Sequence, residues 1–408
     1  MKVVHSCCAG LDVGKDEIVV CLRKRDRNGT TREKRRVPTL TRDLLALADW
    51  LCAEGCTHVA MEATGVYWKP VWHILEGRVD LLLANAARIR NVPGRKSDMN
   101  DATWIAELLA HGLIERSFVP PAPIQELRDL NRTRIQLVRE RVQHTQRVQR
   151  VLEDANIKLG SVISDVLGTS GRRILLAIVN GESDPEKLAD LGSERLRCDR
   201  GTLVESLRGR ITDHHRFLLQ QHLQLIDDLD RTVNQFDAEI EKAVRPFRDV
   251  IERLEAIPGI SRTGAHVIVA EIGLDMSRFP SAAHLVSWAG LCPRLDETAG
   301  KKKSVKLRKG ALWLKPMLVQ CSWAAARTKG SYLQAQYLRL KARRGPKKAV
   351  MAVAASILGI AYVMIRDAVP YSDLGVDYFS RRDTKKIADR LAERIRALGF
   401  EVELKKTA

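Results

Sequence analysis

The chain has 408 residues, of which 45% are hydrophobic and 29% are charged, and this composition excludes an intrinsically disordered protein. Its length allows two or three domains with hydrophobic cores of their own. The formal net charge of +18 is concentrated, because residues 291–348 hold 16 Lys and Arg against 2 Asp and Glu. A basic block beside a nearly neutral remainder indicates a polyanionic partner, most simply nucleic acid.

The eight cysteines have neither the paired CxxC spacing of a zinc site nor the pattern of a disulfide framework. We therefore expect reduced thiols in a cytoplasmic protein. The apolar run at the N-terminus is too short for a signal peptide. Residues 349–365 are apolar enough to be considered as a membrane span, but their Ala-rich composition favours a buried helix, so we expect no membrane partner.

Residues 1–118 alternate between strand and helix patterns. Three predicted strands come first, and Asp12 lies in the first of them, between Gly10 and Gly14, which leave room for a ligand or a second backbone. Thr41 then opens a helix as its N-cap, and a short strand ends at Glu62. With a further helix, strand and helix, the order is that of the ribonuclease H-like, or RuvC-like, α/β fold. In that fold the first strand, the fourth strand and a late helix converge at one end of the sheet.

Four acidic residues indicate a catalytic metal site. Asp98 and Asp101 are three residues apart at the start of a predicted helix, so their carboxylates share one face, about 5–6 Å apart at Cβ. Helix capping is the alternative for this pair, because an acid in the first turn stabilises a helix. Asp12 and Glu62, however, lie on or at the end of predicted strands, where an acid is a poor structural choice. Four acids gathered at one place need a divalent cation between them.

Residues 119–248 are predicted to be helical, with long helices over about Ile124–Leu159 and Asp213–Val244. Glycines are expected to break the region between them into shorter helices, and they are Gly168, Gly171, Gly181 and Gly201. In the second long helix, apolar residues recur every seven positions: Leu219, Ile226, Val233 and Ile240, with Leu229, Phe236 and Ala243 three behind. This heptad seam predicts a coiled coil, formed either with the first long helix or with another protomer.

Residues 249–380 begin with two apolar helical segments joined by Pro-Gly-Ile, which resembles a helix-hairpin-helix. Backbone amides at Gly259 and Ile260 would then hold a DNA phosphate, while a plain helical hairpin in the core is an equal alternative. A basic segment follows, with Lys301, Lys302, Lys303, Lys306, Arg308 and Lys309. It lacks compensating acids, so phosphate contact is favoured over a solvated face. Residues 381–408 form a charged amphipathic tail.

The motifs GLDVGK, MEATGVYW and KSDMNDA, followed far downstream by IPGI, AGLCP and ETAGKKKS, resemble those of the DEDD-type insertion-sequence transposases. The resemblance implies a RuvC-like catalytic domain and a mainly α-helical C-terminal transposase domain. It places the family's acidic tetrad on Asp12, Glu62, Asp98 and Asp101, with Mg²⁺ bound next to the scissile phosphate. It further implies a DNA partner, both element ends and target, a structured guide RNA, and a homo-oligomer, dimer or tetramer, located in the cytoplasm with the nucleoid.

The family's serine nucleophile matches Thr298 of this chain, which is a departure from the family pattern. A threonine hydroxyl can attack phosphorus, although its methyl group crowds the reaction. Ser304 is the fallback nucleophile. We therefore expect Mg²⁺-dependent, RNA-guided DNA cleavage and strand exchange through a protein hydroxyl. Two alternatives stay open: a structure-selective nuclease that uses water, and a nucleic-acid-binding relic without catalysis.

Overall fold

The computed structural model divides into two compact units, Met1–Pro120 and Pro121–Ala408. The residues that it describes are 3–27, 29–63, 65–84, 89, 101–194, 196–293, 296–298, 301–304, 310–382 and 384–404. All eight cysteines are free thiols, as the sequence predicts.

The first unit contains a five-stranded mixed sheet with the strand order β3-β2-β1-β4-β5. Its elements are β1 (Cys7–Val13), β2 (Glu17–Asp26), β3 (Gly29–Pro38), α1 (Thr41–Ala53), β4 (His58–Glu62), α2 (Trp68–Leu75), β5 (Asp80–Ala84) and α3 (Asp101–Ala110). Strands β1, β2 and β3 are antiparallel neighbours, whereas β1, β4 and β5 run parallel. The predicted order of elements is confirmed, and the sheet is compatible with a ribonuclease H-like domain.

Helices cover both faces of this sheet. Helices α1 and α2 pack on one face, and the apolar residues that form this core include Leu11, Val20, Leu44, Leu51, Val59, Met61, Val71 and Leu75. Helix α3 packs on the other face. There Ala102 and Ala106 cluster with Cys21, and Ile105 clusters with Ala60. Since side chains alternate along a strand, Asp12 and Glu62 belong to the face covered by α3.

Gly10 allows α3 to approach β1 closely. A Cβ atom on Gly10 would lie 2.3 Å from the carbonyl oxygen of Ala102 and 2.3 Å from the amide nitrogen of Ala106, a separation that no side chain tolerates. The second backbone expected near Asp12 is therefore that of α3. Gly14 has a different role, because a Cβ there would meet the carbonyl oxygen of Glu17 in the β1–β2 turn at 2.8 Å.

The second unit is mainly helical. Its elements are α4 (Ala122–Asp154), α5 (Leu159–Val162), α6 (Thr169–Val179), α7 (Pro185–Asp190), α8 (Arg200–Leu207), α9 (Asp213–Ala243), α10 (Arg248–Glu255), α11 (Arg262–Ile272), α12 (Ala282–Trp288), β6 (Asp296–Thr298), β7 (Lys301–Ser304), α13 (Leu314–Ala325), α14 (Tyr332–Arg344), α15 (Pro346–Arg366), α16 (Tyr378–Arg382) and α17 (Thr384–Arg396). Both long helices lie close to their predicted bounds.

Helices α4 and α9 pack against each other as an antiparallel pair within one chain. Arg134 of α4 binds Asp237 of α9. Seven residues further along α4, Arg141 binds Asp230, which lies seven residues before Asp237, so the two helices run in opposite directions. One core lies at each end of this pair. The first contains Val148 and helices α5 to α8, and the second contains Ile240 and helices α10 to α15. Of the two pairings left open by the heptad seam, the described residues show the one inside the chain.

Helix α15 contains the apolar stretch that was considered as a membrane span. By length and composition it could cross a membrane, and 50% of its most apolar window is buried in the protein. Its residues Ala349, Val353, Ile357 and Ala361 are fully buried in the second core. This placement is that of a core helix, which passes the same length and hydropathy test.

Three predicted local signals are wrong. Thr41 is the first residue of α1 rather than its N-cap, which is Leu40. Gly171 and Gly201 lie inside α6 and α8 rather than between helices. At Gly171 the reason is packing, since a Cβ there would lie 2.2 Å from the carbonyl oxygen of Val166.

Substituting Gly10→Ala should destabilise the first unit. The added methyl group has no space between β1 and α3, so we expect the free energy of unfolding to fall by about 3 kcal/mol or more, the upper end for overpacked cores. Hydrogen exchange of the β1 and α3 amides measures this destabilisation. Gly359→Ala in α15 is the control, because a Cβ there meets nothing within 4 Å. Unchanged exchange in the Gly10 variant would contradict the close approach of the two backbones.

Candidate active site

Asp12 and Asp101 are neighbours at one end of the sheet. Asp12 follows Gly10 by two residues on β1, and Asp101 immediately precedes Ala102, which contacts Gly10. Burial, and then the negative charge of Asp101, raise the pKa of Asp12 above its ordinary value. The pair therefore meets through α3 packing on β1, and burial together with the charge of Asp101 disfavours ionisation of Asp12.

Glu62 ends the neighbouring strand β4 and is 7% exposed. The parallel register pairs Leu11 with Met61, so Asp12 and Glu62 each lie one residue further along adjacent strands. Neighbouring strands are about 4.8 Å apart, and both residues belong to the face covered by α3. The register thus places the backbone of Glu62 next to that of Asp12 on the adjacent strand.

Asp98, the fourth predicted acid, lies outside the described residues. Among the residues that the structure does describe, no group of three or more His, Cys, Asp or Glu side chains has the geometry of a metal site. The donor chemistry of Asp12, Glu62 and Asp101 nevertheless fits a hard divalent cation, which prefers carboxylate oxygens. Burial, and then the charge of Asp101, raise the pKa of Asp12, and a cation would offset the second of these causes.

A buried ion pair that the sequence did not predict fastens α3 to the sheet. Arg23 on β2 is 2% exposed and donates from Nε to Oε2 of Glu107 at 3.0 Å, and Arg32 on β3 donates to the same oxygen at 2.9 Å. Burial alone would raise the pKa of Glu107, but hydrogen bonds from Arg32 and Arg23 outweigh it and hold that pKa below its ordinary value. The only sequence signal was one acid within the apolar stretch of α3.

The basic segment between residues 290 and 310 has its two ends close together in the second unit. A Cβ on Gly310 would lie 2.2 Å from the carbonyl oxygen of Ala289 and 2.5 Å from Cα of Gly290. Between these points, β6 and β7 form an antiparallel hairpin, in which Thr298 pairs with Lys301. Thr298 therefore lies at the turn of the hairpin.

Ser304 occupies the other end of the same hairpin, where it pairs with Asp296. The three lysines of the first basic run, Lys301, Lys302 and Lys303, lie on β7. The remaining predicted basic contacts, Lys306, Arg308 and Lys309, lie outside the described residues. The backbone thus separates the two candidate nucleophiles, with Thr298 at the turn and Ser304 at the open end.

Trp313 follows the basic segment, and its ring contacts two arginines of α4. The guanidinium carbons of Arg132 and Arg139 lie 5.7 Å and 5.1 Å from the ring centroid, distances at which a cation is attracted to an aromatic face. Arg132 also binds Glu271 on α11 through both carboxylate oxygens, at 2.7 Å and 2.8 Å. The end of the basic segment is therefore held by an arginine row that is visible in the sequence only as an Arg-rich helix.

Gly259 and Ile260 have packing contacts at the start of the C-terminal region. Gly259 has a φ of +88° and a Cβ there would lie 2.3 Å from the carbonyl oxygen of Cys321. Ile260 is 7% exposed, and its amide donates to the carbonyl oxygen of Ile257 at 3.0 Å. These contacts favour the plain helical hairpin over a phosphate-binding one.

Comparison with known protein families gives two matches. A DEDD-type model described as Transposase matches residues 9–157, which include all four predicted acids. The chain belongs to the IS110 family of DEDD transposases. The second model, Transposase IS116/IS110/IS902 family, matches residues 251–338 and includes Thr298. No curated protein matches the chain.

The transposase is therefore the enzyme of an insertion sequence, and its partner is DNA. DEDD transposases are generally dependent on divalent metals. Each match includes one group of candidate residues, the first the acidic residues and the second the β6–β7 hairpin. The acids and the hydroxyl proposed from the sequence thus lie in regions that the family matches.

Substituting Asp12→Asn should stabilise the metal-free transposase at neutral pH. Because the pKa of Asp12 is raised on folding, its contribution to stability is fully present below the ordinary Asp pKa and is lost as the pH rises through the raised value. Asparagine removes this pH-dependent cost, so the gain should appear near neutral pH and vanish in acid. Urea unfolding in the presence of a chelator measures it. The exposed Asp16→Asn is the control, and a less stable Asp12 variant at neutral pH would contradict the reasoning.

Proposed function

We propose that the transposase cuts and rejoins DNA by an Mg²⁺-dependent reaction in which a protein hydroxyl is the nucleophile. The observation that carries this proposal is the electrostatic interaction of Asp12 with Asp101, beside the strand end that carries Glu62. Residues 1–118, which contain these three acids and Asp98, would form the catalytic domain. The proposal further assigns 119–248 to the coiled-coil region, 249–380 to the transposase domain and 381–408 to a charged tail.

In this mechanism, Asp12, Glu62, Asp98 and Asp101 would hold Mg²⁺ through their carboxylates. The ion would supply charge stabilisation to the attacking and leaving oxygens of an in-line displacement. A bound cation would also offset the negative charge of Asp101, which disfavours ionisation of Asp12. Glu62 would add an oxygen donor from the adjacent strand.

Thr298 is the proposed nucleophile. Its Oγ1 forms a bond to phosphorus while the bond from phosphorus to the leaving deoxyribose oxygen breaks, and the hydroxyl proton passes through a base or water to that leaving oxygen. The recipient strand's hydroxyl then attacks the same phosphorus and releases Thr298. The resemblance matches the family's nucleophile to Thr298, which pairs with Lys301 at the hairpin turn, whereas Ser304 pairs with Asp296 at the open end.

The partners are proposed from the resemblance and from charge. Element ends and target DNA would contact the segment with 16 basic residues against 2 acidic ones. A structured guide RNA would supply target choice by base pairing, which leaves the protein to bind backbone rather than sequence. We propose action as a homo-oligomer, a dimer or tetramer, in the cytoplasm at the nucleoid.

Separate substitution of the two proposed catalytic groups tests the function. Asp101→Asn should abolish both cleavage and strand joining, since the metal loses a ligand, with DNA binding retained. Thr298→Ala should abolish the covalent protein–DNA adduct and strand exchange. The measurement is adduct trapping on labelled duplex with Mg²⁺ and peptide mapping by mass spectrometry.

Thr298→Ser and Ser304→Ala are the matched controls, and both should retain the adduct. Cleavage that persists without an adduct in Thr298→Ala would identify a nuclease that uses water. An adduct that maps to Ser304 would move the nucleophile there. No cleavage by the unsubstituted transposase, with binding intact, would identify a relic.

Replacing Lys301, Lys302 and Lys303 with Gln should weaken binding to duplex DNA. The slope of log K against log salt should fall by about 0.9 for each phosphate that is no longer neutralised, because fewer counterions are released. Fluorescence anisotropy at several salt concentrations measures the slope. Lys385→Gln, in the C-terminal tail, is the control. An unchanged slope would show that the run is a solvated face.

A further inference from the structure

Strand β3 is the edge of the sheet and carries a row of exposed cationic side chains. Arg32, Lys34 and Arg36 alternate along it, so they share one face. The side chains of Arg32 and Arg36 are 45% and 74% exposed. Alternate residues of a strand are separated by about 7 Å, which is similar to the separation of successive phosphates in an extended nucleic-acid strand.

The strand register places this row on the face that carries the acids. Arg36 pairs with Val19 of β2, and Val19 pairs with Asp12 of β1. Arg36 therefore lies two strand spacings, about 10 Å, from Asp12 in the same row across the sheet. Lys34 lies in the row of Gly10, one step further from the acidic end.

The opposite face of β3 gives a contrast. Arg35 points to that face, where its guanidinium carbon lies 3.9 Å from the centroid of the Trp50 ring and its side chain binds Glu33 at 2.8 Å. Arg35 is thus engaged in packing against α1. The row formed by Arg32, Lys34 and Arg36 is the cationic side of the strand that faces the same way as Asp12.

Charges on an edge strand also prevent pairing with another sheet, but that role does not require them on one face. Arg32 is already bound to Glu107 of α3, but the ion pair of Arg36 is of a kind that phosphate can replace. Arg36 binds Glu17 at 3.1 Å, and the Glu17 side chain is 53% exposed. Such exposed pairs contribute little to stability and are screened by salt.

We propose that Lys34 and Arg36 form a track for the sugar–phosphate backbone of the DNA strand that enters the acidic site, with Arg32 further along the same row held by Glu107. The inference rests on the proposed function, because the track has a role only if the acidic residues act on a phosphate of the same strand. Cationic contacts of this kind position a strand without reading its sequence. The track would hold the phosphates next to the scissile one and so fix which phosphate meets Asp12.

The test compares neighbouring arginines on opposite faces of β3. Lys34→Gln with Arg36→Gln is the variant, and Arg35→Gln is the matched control, each made in an Asp101→Asn background so that binding is measured without cleavage. The probes are a mixed-sequence DNA, used as a duplex and as a single strand, and an RNA of the same sequence. For each phosphate that the double variant no longer neutralises, the slope of log K against log salt should fall by about 0.9 on duplex and about 0.7 on single-stranded DNA.

Arg35→Gln should leave the slope unchanged, and the single variant Arg36→Gln should lower it. Equal effects of Arg35→Gln and Arg36→Gln, an unchanged slope in the double variant, or an effect confined to the RNA probe would overturn the inference. Circular dichroism should show the same fold in all variants, since the substituted residues are exposed. Cleavage by the protein with and without Asp101→Asn alone tests the proposed function, so the two failures are distinguishable.

Discussion

The packing of α3 on β1 at Gly10 determines where the acidic residues lie. Backbone atoms of Ala102 and Ala106 occupy the space that a side chain at position 10 would need. Asp101 precedes Ala102 and Asp12 follows Gly10, so the same packing sets the distance between the two acids. Burial, and then the charge of Asp101, raise the pKa of Asp12, so an ionised Asp12 opposes this packing and the fold has to hold the two acids together against that cost.

The ion pair of Arg23 with Glu107 supplies part of that hold. It lies further along α3 and is nearly buried, and removal of one partner from such a pair typically costs about 3–5 kcal/mol. Arg32 contributes to the same carboxylate from the edge strand. Helix α3 thus combines three contacts: it packs on Gly10 of β1, it is bound to two arginines through Glu107, and it carries the functional acid Asp101.

Much of this arrangement was predictable from local patterns. Strand alternation and glycine positions predicted Asp12 on β1 and Glu62 at the end of β4, and heptad spacing predicted α9 within one residue of its observed end. Tertiary packing decided what these patterns could not. The seam of α9 did not identify its partner, Gly171 was mistaken for a helix break because its packing against Val166 leaves no mark in the local pattern, and a single Glu107 did not indicate two arginine partners.

The site followed the same division between local pattern and tertiary structure. Residue type and spacing indicated the acids and the Thr298 region, because carboxylates on strands and uncompensated lysines are poor structural choices. The sequence favoured Thr298 over Ser304 only through the family motif, and the strand register puts the two at opposite ends of one hairpin. The sequence did not reveal the cationic row of β3, since only the register shows that Arg36 and Asp12 share a face.

The close approach of Gly310 to Ala289 also bears on how this protein can diversify. A loop whose two ends are pinned together can change in length at a small entropic cost, because loop-closure entropy grows slowly with length. Because the two ends stay together, a change in the length of the basic segment between residues 290 and 310 need not move the helices on either side of it.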